Sequence, residues 1–223
     1  MRKIILTFLI ALPLCLMAQT KSATAQSIEA QGFVDIKDID PSIKVSLMYT
    51  RPDNFTGKVL YTDLKEAYLH PSAAEALKTA QAELKKTHPE WSLIVYDATR
   101  PMSVQQKMWD VVKGTSKHIY VSNPANGGGL HNYGFAVDVS ICDEKGDTIP
   151  MGTIIDHLGR EAHVNLEEEM VSAGTISRQA VDNRKLLRQV MAAGGYKVLR
   201  TEWWHFNLKT RKQVKAEGRK VIK

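Results

Sequence analysis

Hydrophobic positions recur along the chain with two different periods, and together they predict a mixture of helices and strands. Leu77, Ala80 and Leu84 share one stripe at helical spacing. Pro71 opens this predicted helix, which ends before Pro89 because the residue ahead of a proline disfavours helical backbone angles. The same spacing predicts two further helices, over residues 103–114 and 178–193.

Apolar runs and strict alternation predict the strands. The predicted strands are residues 45–49, 91–97 and 134–141, followed by a hairpin-like pair within residues 196–208. Helices and strands follow no regular repeat, which favours an α+β domain with a central, mainly antiparallel sheet and flanking helices. The mixed, polar residues 26–40 predict a loosely held arm, and the basic residues from Lys209 onward predict a frayed helix or a solvated tail.

The first 25 residues have the pattern of a secretory signal peptide. A positive start at residues 1–3 precedes the apolar residues 4–17, and the small residues 23–25 suit cleavage after Ala25. The apolar run is too short for a membrane span. A lipoprotein anchored through Cys15 is less favoured, because a bulky leucine precedes that cysteine. We therefore expect an exported protein, periplasmic or in the cell envelope and soluble, with one mature domain over residues 26–223.

Charge and cysteine content narrow the possible functions. Removal of Arg2, Lys3 and Lys21 with the signal peptide would take the formal net charge from +6 to +3, which is too small to favour nucleic-acid binding. Cys142 would be the one cysteine left, so no internal disulfide can stabilise the mature domain. Its stability must come from packing, with or without a bound metal ion.

The stretch GGGLHNYGFAVDV places a histidine and a carboxylate near the start of a predicted strand. Alternation puts Asp138 on the face opposite the apolar positions. His131 lies seven residues earlier and would occupy the other face of a continuous strand, so the two side chains converge only where the chain bends. Asn132 and Gly134 tolerate such a bend. A polar loop followed by a strand with a solvated aspartate remains the alternative.

The stretch TEWWHFNL supplies a second pair of polar side chains. Glu202 and His205 lie among large aromatic residues, where unpaired polar groups are costly. Two histidines, an aspartate and a further glutamate are the groups of a catalytic zinc site with one open position. The alternative is a Glu202 paired with an arginine and a His205 that is part of the core. Arg100 follows a predicted strand and can reach a cleft, although most single arginines lie on the surface.

These residues resemble the zinc D-alanyl-D-alanine metallopeptidases, whose pattern is SxHxxGxAxD followed by ExWH. Residues 130–138 and 202–205 carry the match. Further blocks resemble the dipeptidase branch of this D,D-peptidase clan, which includes vancomycin-resistance dipeptidases. These blocks are Tyr49 with residues 53–57, residues 96–101, residues 151–153 with Asp156, and residues 183–184.

The resemblance implies a role for each matched residue. His131, Asp138 and His205 would bind one zinc ion per chain, Glu202 would be the general base and then acid, and Arg100 would stabilise the oxyanion. Tyr49 and Asp156 match positions that recognise the free amino end of a dipeptide. One residue departs from the pattern: Gly129 stands where the family has a serine that helps to hold the substrate carboxylate.

The implied function is hydrolysis of the dipeptide D-alanyl-D-alanine in the cell envelope. One alternative is a zinc D,D-carboxypeptidase that trims the terminal D-alanine from peptidoglycan stem peptides, although a grip on a free amine next to the scissile bond disfavours longer substrates. Another is a non-catalytic, metal-containing peptidoglycan-binding module, which would not need a base. The sequence leaves the oligomeric state open.

Overall fold

A five-stranded sheet forms the centre of the protein in the computed structural model, which describes residues 20–223. The strands are β1 (Val34–Asp35), β2 (Lys44–Val45), β3 (Tyr68–Leu69), β4 (Ser92–Asp97), β5 (Ala136–Cys142), β6 (Lys197–Leu199) and β7 (Glu202–Asn207). The order in the main sheet is β2-β4-β5-β7-β6, and β2 pairs with β4 in parallel while the other three pairs are antiparallel. β1 and β3 form a separate antiparallel pair. The predicted α+β fold with a mainly antiparallel sheet is confirmed.

The helices flank this sheet. They are α1 (Ala23–Ala30), α2 (Ile36–Ile39), α3 (Pro71–Thr87), α4 (Met102–Val112), α5 (Glu167–Ser172), α6 (Arg178–Ala193) and α7 (Arg211–Ala216). α3, α4 and α6 match the three predicted helices closely. Pro71 occupies the first turn of α3, where its missing N–H costs nothing, and the His70 side chain accepts a hydrogen bond from the Ser72 N–H. α3 contacts both α6 and β4, so these two helices cover part of the sheet.

β5 is the central strand, and all seven of its residues are buried. Phe135, Val137 and Val139 lie on the predicted apolar face and are fully inaccessible to solvent. Asp138 and Ser140 lie on the opposite face, yet they are also buried. The alternation therefore identifies the two faces of β5 correctly, but the polar face points into a covered cleft.

Two predictions near the N-terminus are wrong. Residues 26–40 are not a loose arm, because they form α1, β1 and α2 with Ile28 and Ile36 buried in the core. The predicted strand over residues 45–49 is reduced to β2, and a short 3-10 helix, Met48–Thr50, replaces its second half. The carbonyl of Tyr49 accepts hydrogen bonds from the N–H groups of residues 60 and 61, which belong to a loop and not to a neighbouring strand.

The basic C-terminal segment is also better ordered than predicted. It forms α7, on which Val214 is fully buried, and Ile222 is fully buried beyond it. The Ile222 N–H donates to the carbonyl of Asn132, and the Ile222 carbonyl accepts from the N–H of Met102. The tail is therefore anchored beside the histidine-bearing turn, because its few apolar residues enter the core while its charges remain outside.

Most of the predicted signal peptide lies outside the described residues, and so does Cys15. The predicted cleavage point after Ala25 falls inside α1, where Ala25 is fully buried and the Ser22 side chain caps the helix. Cys142 is buried and forms no disulfide. Over residues 20–223, no helix has the length and apolar character needed to cross a membrane.

Candidate metal and catalytic site

Two of the three candidate metal ligands are neighbours in the sheet. Asp138 on β5 and His205 on β7 are directly opposite one another across an antiparallel pair. Residues in such a pair lie on the same face, with their Cβ atoms about 4.5–5.5 Å apart. On β4, an irregularity after Val95 places Asp97 opposite Asp138 on the other side. The three strands therefore present Asp97, Asp138 and His205 in one row.

The third candidate ligand, His131, reaches this row from a turn. It lies in a 3-10 helix, Leu130–Tyr133, that ends at Gly134 in the left-handed conformation with φ +70°. A side chain at Gly134 would also collide with Phe33, since an added Cβ would lie 2.5 Å from its Cε1 atom. Only glycine satisfies both constraints. The predicted bend between His131 and Asp138 is therefore present, and it brings the imidazole onto the carboxylate's face of the sheet.

The ligand atoms of the three side chains converge closely. His205 Nδ1 lies 2.9 Å from Asp138 Oδ1 and 3.1 Å from His131 Nε2, and His131 Nε2 lies 3.4 Å from Asp138 Oδ1. Atoms bound about 2.0–2.1 Å from a tetrahedral ion lie about 3.3 Å from one another. The three residues form a group able to hold a metal ion, and their spacing fits a small tetrahedral one.

The outer nitrogen of each imidazole has a hydrogen-bond partner. His131 Nδ1 lies 2.6 Å from the carbonyl oxygen of Ala98, which can only accept, so the proton resides on Nδ1. His205 Nε2 lies 3.0 Å from the side-chain oxygen of Asn207, a partner that allows Nε2 to carry the proton. With both outer nitrogens protonated, the inner nitrogens have lone pairs free to bind a metal ion.

Asp138 carries a negative charge beside the two imidazoles. Burial alone would raise the pKa of Asp138, but the imidazoles of His131 and His205 hold that pKa below its usual value. Asp138 is therefore an anion, as a metal ligand must be.

Glu202 lies beside the ligands at the start of β7. Its carboxylate is 3.9 Å from His205 Nδ1 and is buried. In a regular strand, Glu202 and His205 would lie on opposite faces because they are three residues apart. The pairing of β6 with β7 is irregular between Val198 and Leu199, however, and both side chains line the same cleft. Burial raises the pKa of Glu202 to about 8. A carboxyl group with such a pKa can both accept and release a proton near neutral pH.

Arg100 is held in the same cleft by Asp97, which is fully buried. The guanidinium donates to Asp97 through Nε at 2.9 Å and through Nη2, while Nη1 donates to the side chain of Gln105 at 2.9 Å. Tyr61 donates its hydroxyl to the other Asp97 oxygen at 2.6 Å. Three of the five N–H groups of Arg100 are thereby used, and two remain for a ligand.

Tyr49 and Asp156 form a second polar pair. The Tyr49 hydroxyl donates to Asp156 Oδ1 at 2.9 Å, while the buried Oδ2 atom has no hydrogen-bond partner among the described residues. Asp156 also has a φ of +65°, a strained conformation for a residue with a side chain. Burial, together with the charge of Asp138, raises the pKa of Asp156 to about 7. A cationic partner would satisfy the unpaired oxygen and lower that pKa.

All seven residues singled out from the sequence line one cavity of about 270 Å³. Asp97, Gln105 and Asn207 contribute to this site without having been singled out. Asp97 lies within the block of residues 96–101, and its place at the end of an apolar strand was a usable signal. Nothing in the local pattern distinguished Gln105 or Asn207, because their importance comes from what they contact.

Comparison with known proteins agrees with this geometry. Residues 29–219 match the peptidase family M15 model described as D-Ala-D-Ala dipeptidase. The chain is 30% identical over 175 residues to the D-alanyl-D-alanine dipeptidase of Escherichia coli K12, covering 78% of this chain and 83% of that protein. It is 26% identical over 199 residues to the Enterococcus faecium protein of the same name, covering 80% and 92%. A Synechocystis protein of that name is also 26% identical, over 168 residues, covering 62% and 68%. The chain therefore belongs to the D-Ala-D-Ala dipeptidase family of metallopeptidases.

Proposed function

We propose that this protein is a zinc-dependent dipeptidase that hydrolyses D-alanyl-D-alanine. The observation that carries the proposal is the convergence of His131, Asp138 and His205 beside the buried Glu202. Two imidazole nitrogens and one carboxylate, with a further position open, are typical ligands of a catalytic zinc ion. When bound, zinc acts as a Lewis acid that makes water a better nucleophile and polarises the carbonyl to be attacked.

The protein's own residues then perform the proton transfers. Glu202 takes a proton from the attacking water and delivers it to the departing amine, which its raised pKa permits. Arg100 directs its two unused N–H groups toward the negative charge that develops on the carbonyl oxygen. Asp97 fixes the guanidinium beforehand, so little reorganisation accompanies the reaction.

The pair formed by Tyr49 and Asp156 supports a substrate with a free amino group. Asp156 lines the same cavity as the candidate ligands, and a carboxylate with one unpartnered oxygen suits an ammonium ion. Burial, helped by the negative charge of Asp156, raises the pKa of Tyr49 well above its usual value, so the phenol remains a hydrogen-bond donor. A grip on the amine close to the reacting carbonyl favours a dipeptide over a stem pentapeptide, and comparing D-alanine release from the two substrates tests this choice.

Metal binding is expected to depend on both the ligands and their outer partners. His205→Ala should abolish stoichiometric zinc binding, and Asn207→Ala should weaken zinc affinity about 10–100-fold because the imidazole loses its orienting partner. Elemental analysis and competition with a chelator measure both. His88→Ala is the control, since that histidine stacks on Trp91 outside the cavity. Full zinc content in His205→Ala would contradict the ligand assignment.

Glu202 is expected to be needed for turnover but not for the metal. Glu202→Gln should keep its zinc and lower kcat about 100- to 10,000-fold, because the amide cannot accept the proton. Zinc content and D-alanine release are measured on the same sample, with the exposed Glu169→Gln as the matched control. A metal-loaded Glu202→Gln protein with near-normal turnover would remove Glu202 from the mechanism. Zinc in the wild-type protein without hydrolysis of any D,D-peptide would favour the binding-module alternative.

Asp156 is expected to give the dipeptide KM a pH dependence. Its folded pKa is raised to about 7, so the carboxylate becomes neutral as the pH falls through 7 and no longer attracts an ammonium ion. The KM should therefore rise from pH 7.5 to pH 6, because the substrate amine, with a pKa of about 7.7–8.0, only becomes more protonated over this range and cannot cause the loss. Asp156→Asn should have a high KM that changes little over this range, whereas the exposed Asp182→Asn should behave as the wild type. An unchanged pH profile in Asp156→Asn would contradict this role.

We also propose that the protein is exported to the cell envelope. The N-terminal charge and apolar pattern support export, and the Ser22 cap and buried Ala25 of α1 support a cleavage point ahead of Ser22 instead of the one after Ala25. N-terminal sequencing of protein recovered from an envelope fraction should find a mature chain that begins at or before Ser22. A mature chain beginning at Gln26 would contradict the shifted cleavage point, and an uncleaved chain confined to the cytoplasm would contradict export.

A further inference from the structure

Gly129 lies on the wall of the cavity and contributes no side chain to it. Its N–H donates to the Asn132 side chain at 2.8 Å, so that amide is not available to a ligand. Its φ of −108° is one that any residue adopts, so backbone strain does not require glycine here. An added Cβ, however, would lie 2.9 Å from the hydroxyl oxygen of Ser122 and 3.2 Å from its Cβ. Ser122 therefore occupies the space that a residue 129 side chain would need.

Ser122 is held in place through its backbone. The Gln105 side chain donates to the Ser122 carbonyl at 2.7 Å and accepts from Arg100 Nη1 at 2.9 Å. Gln105 is 1% exposed, so both ends of this amide are fixed inside the protein. Ser122 itself is exposed and lines the cavity, and within residues 20–223 its hydroxyl takes part in no hydrogen bond. The loop therefore places the Ser122 hydroxyl at the cavity, and Gln105 links the position of this loop to the Arg100 guanidinium.

Arg211 brings a positive charge to the same side. It begins α7, and its Nη2 atom donates to the carbonyl of Asn126, just ahead of the glycine turn that contains Gly129. Arg211 lines the cavity, and the salt bridges of the described part of the chain do not include it. An exposed guanidinium that lines the same cavity as the Ser122 hydroxyl, and that has no carboxylate partner among the described residues, is suited to bind an anion.

We propose that Ser122 and Arg211 bind the C-terminal carboxylate of the substrate, in place of a side chain at position 129. This proposal rests on the proposed dipeptidase function and names the residues that recognise one end of the dipeptide. A dipeptide at neutral pH is a zwitterion, and the cavity then offers Asp156 to the ammonium group and Arg211 to the carboxylate. Position 129 needs to be glycine because Ser122 occupies the space that a side chain there would take, and Ser122 supplies the hydroxyl instead.

The first test compares D-alanyl-D-alanine with its C-terminal amide, which lacks the negative charge. Arg211→Gln should raise the KM for the dipeptide about 10- to 100-fold, leave its kcat within a few-fold, and leave the constants for the amide unchanged. Lys212→Gln is the matched control, because Lys212 is an exposed cation on the same helix that does not line the cavity. Thermal unfolding of both variants separates a loss of binding from a loss of the Asn126 contact.

The second test moves the hydroxyl from one position to the other. Ser122→Gly should raise the KM for the dipeptide about tenfold, and Gly129→Ser should lower kcat/KM because its side chain meets Ser122. The double variant, Ser122→Gly with Gly129→Ser, should recover to within a few-fold of the wild type, which is a strong non-additivity between contacting positions.

The outcomes separate this proposal from the proposed function. A wild-type protein that does not hydrolyse the dipeptide would overturn the function itself. A wild-type protein that does hydrolyse it, with Arg211→Gln indistinguishable from Lys212→Gln toward both acid and amide, would overturn only the role of Arg211. The role of Ser122 would be overturned if the fold-changes in kcat/KM of the two single variants, at residues 122 and 129, simply multiplied in the double variant.

Discussion

The convergence of three candidate ligand atoms inside a covered cleft is the constraint on which this structure depends. His131 Nε2, His205 Nδ1 and Asp138 Oδ1 lie 2.9–3.4 Å apart, and each outer imidazole nitrogen has a partner that can accept its proton. With both protons on the outer nitrogens, a bound cation would offset the repulsion between the inner lone pairs and the carboxylate. The pairing of β5 with β7 and the bend at Gly134 both serve to bring these atoms together.

A second layer of charge lies behind the ligands. Asp97 and Asp138 are adjacent in the sheet, and two carboxylates in a buried row would repel each other. Arg100 relieves this repulsion, because Asp97 holds its guanidinium and Asp138 Oδ2 lies 3.8 Å from its Nη2 atom. Burial by itself would lower the pKa of Arg100, but Asp97 and the other nearby acidic groups raise it well above its usual value. The arginine is therefore a permanent cation whose position is set before any substrate arrives.

The sheet and the loops contribute different residues to the cavity. Strands supply Asp138, Glu202 and His205, so the sheet fixes their relative positions. Loops and the last helix supply Ser122, Asp156 and Arg211, which line other parts of the cavity. The C-terminal segment participates because buried Ile222 attaches it to the turn that carries His131. A segment that resembles a charged tail in the sequence thus becomes part of the cavity wall.

Local patterns in the sequence were sufficient to identify the fold class, three helices, the two faces of β5 and five polar residues of the cavity: Arg100, His131, Asp138, Glu202 and His205. Tyr49 and Asp156 were indicated only by the resemblance to a known family. These features depend on periodicity, on punctuation by proline and glycine, and on residue types, all of which are properties of neighbouring positions. The order of residues 26–40 and of the C-terminal segment was not predictable in this way, because a few apolar side chains decide it by entering a distant part of the core.

Only the tertiary structure decided how the polar residues are used. The pairing of Asp138 with His205 joins residues far apart in the chain, and register shifts place Asp97 beside Asp138 and Glu202 in the cleft. The close approach of Ser122 to Gly129 likewise depends on how the loop between them folds. The sequence by itself determined which chemically active side chains are present. Tertiary structure determined their distances, their burial and hence their charges, because those quantities depend on neighbours that only folding brings together.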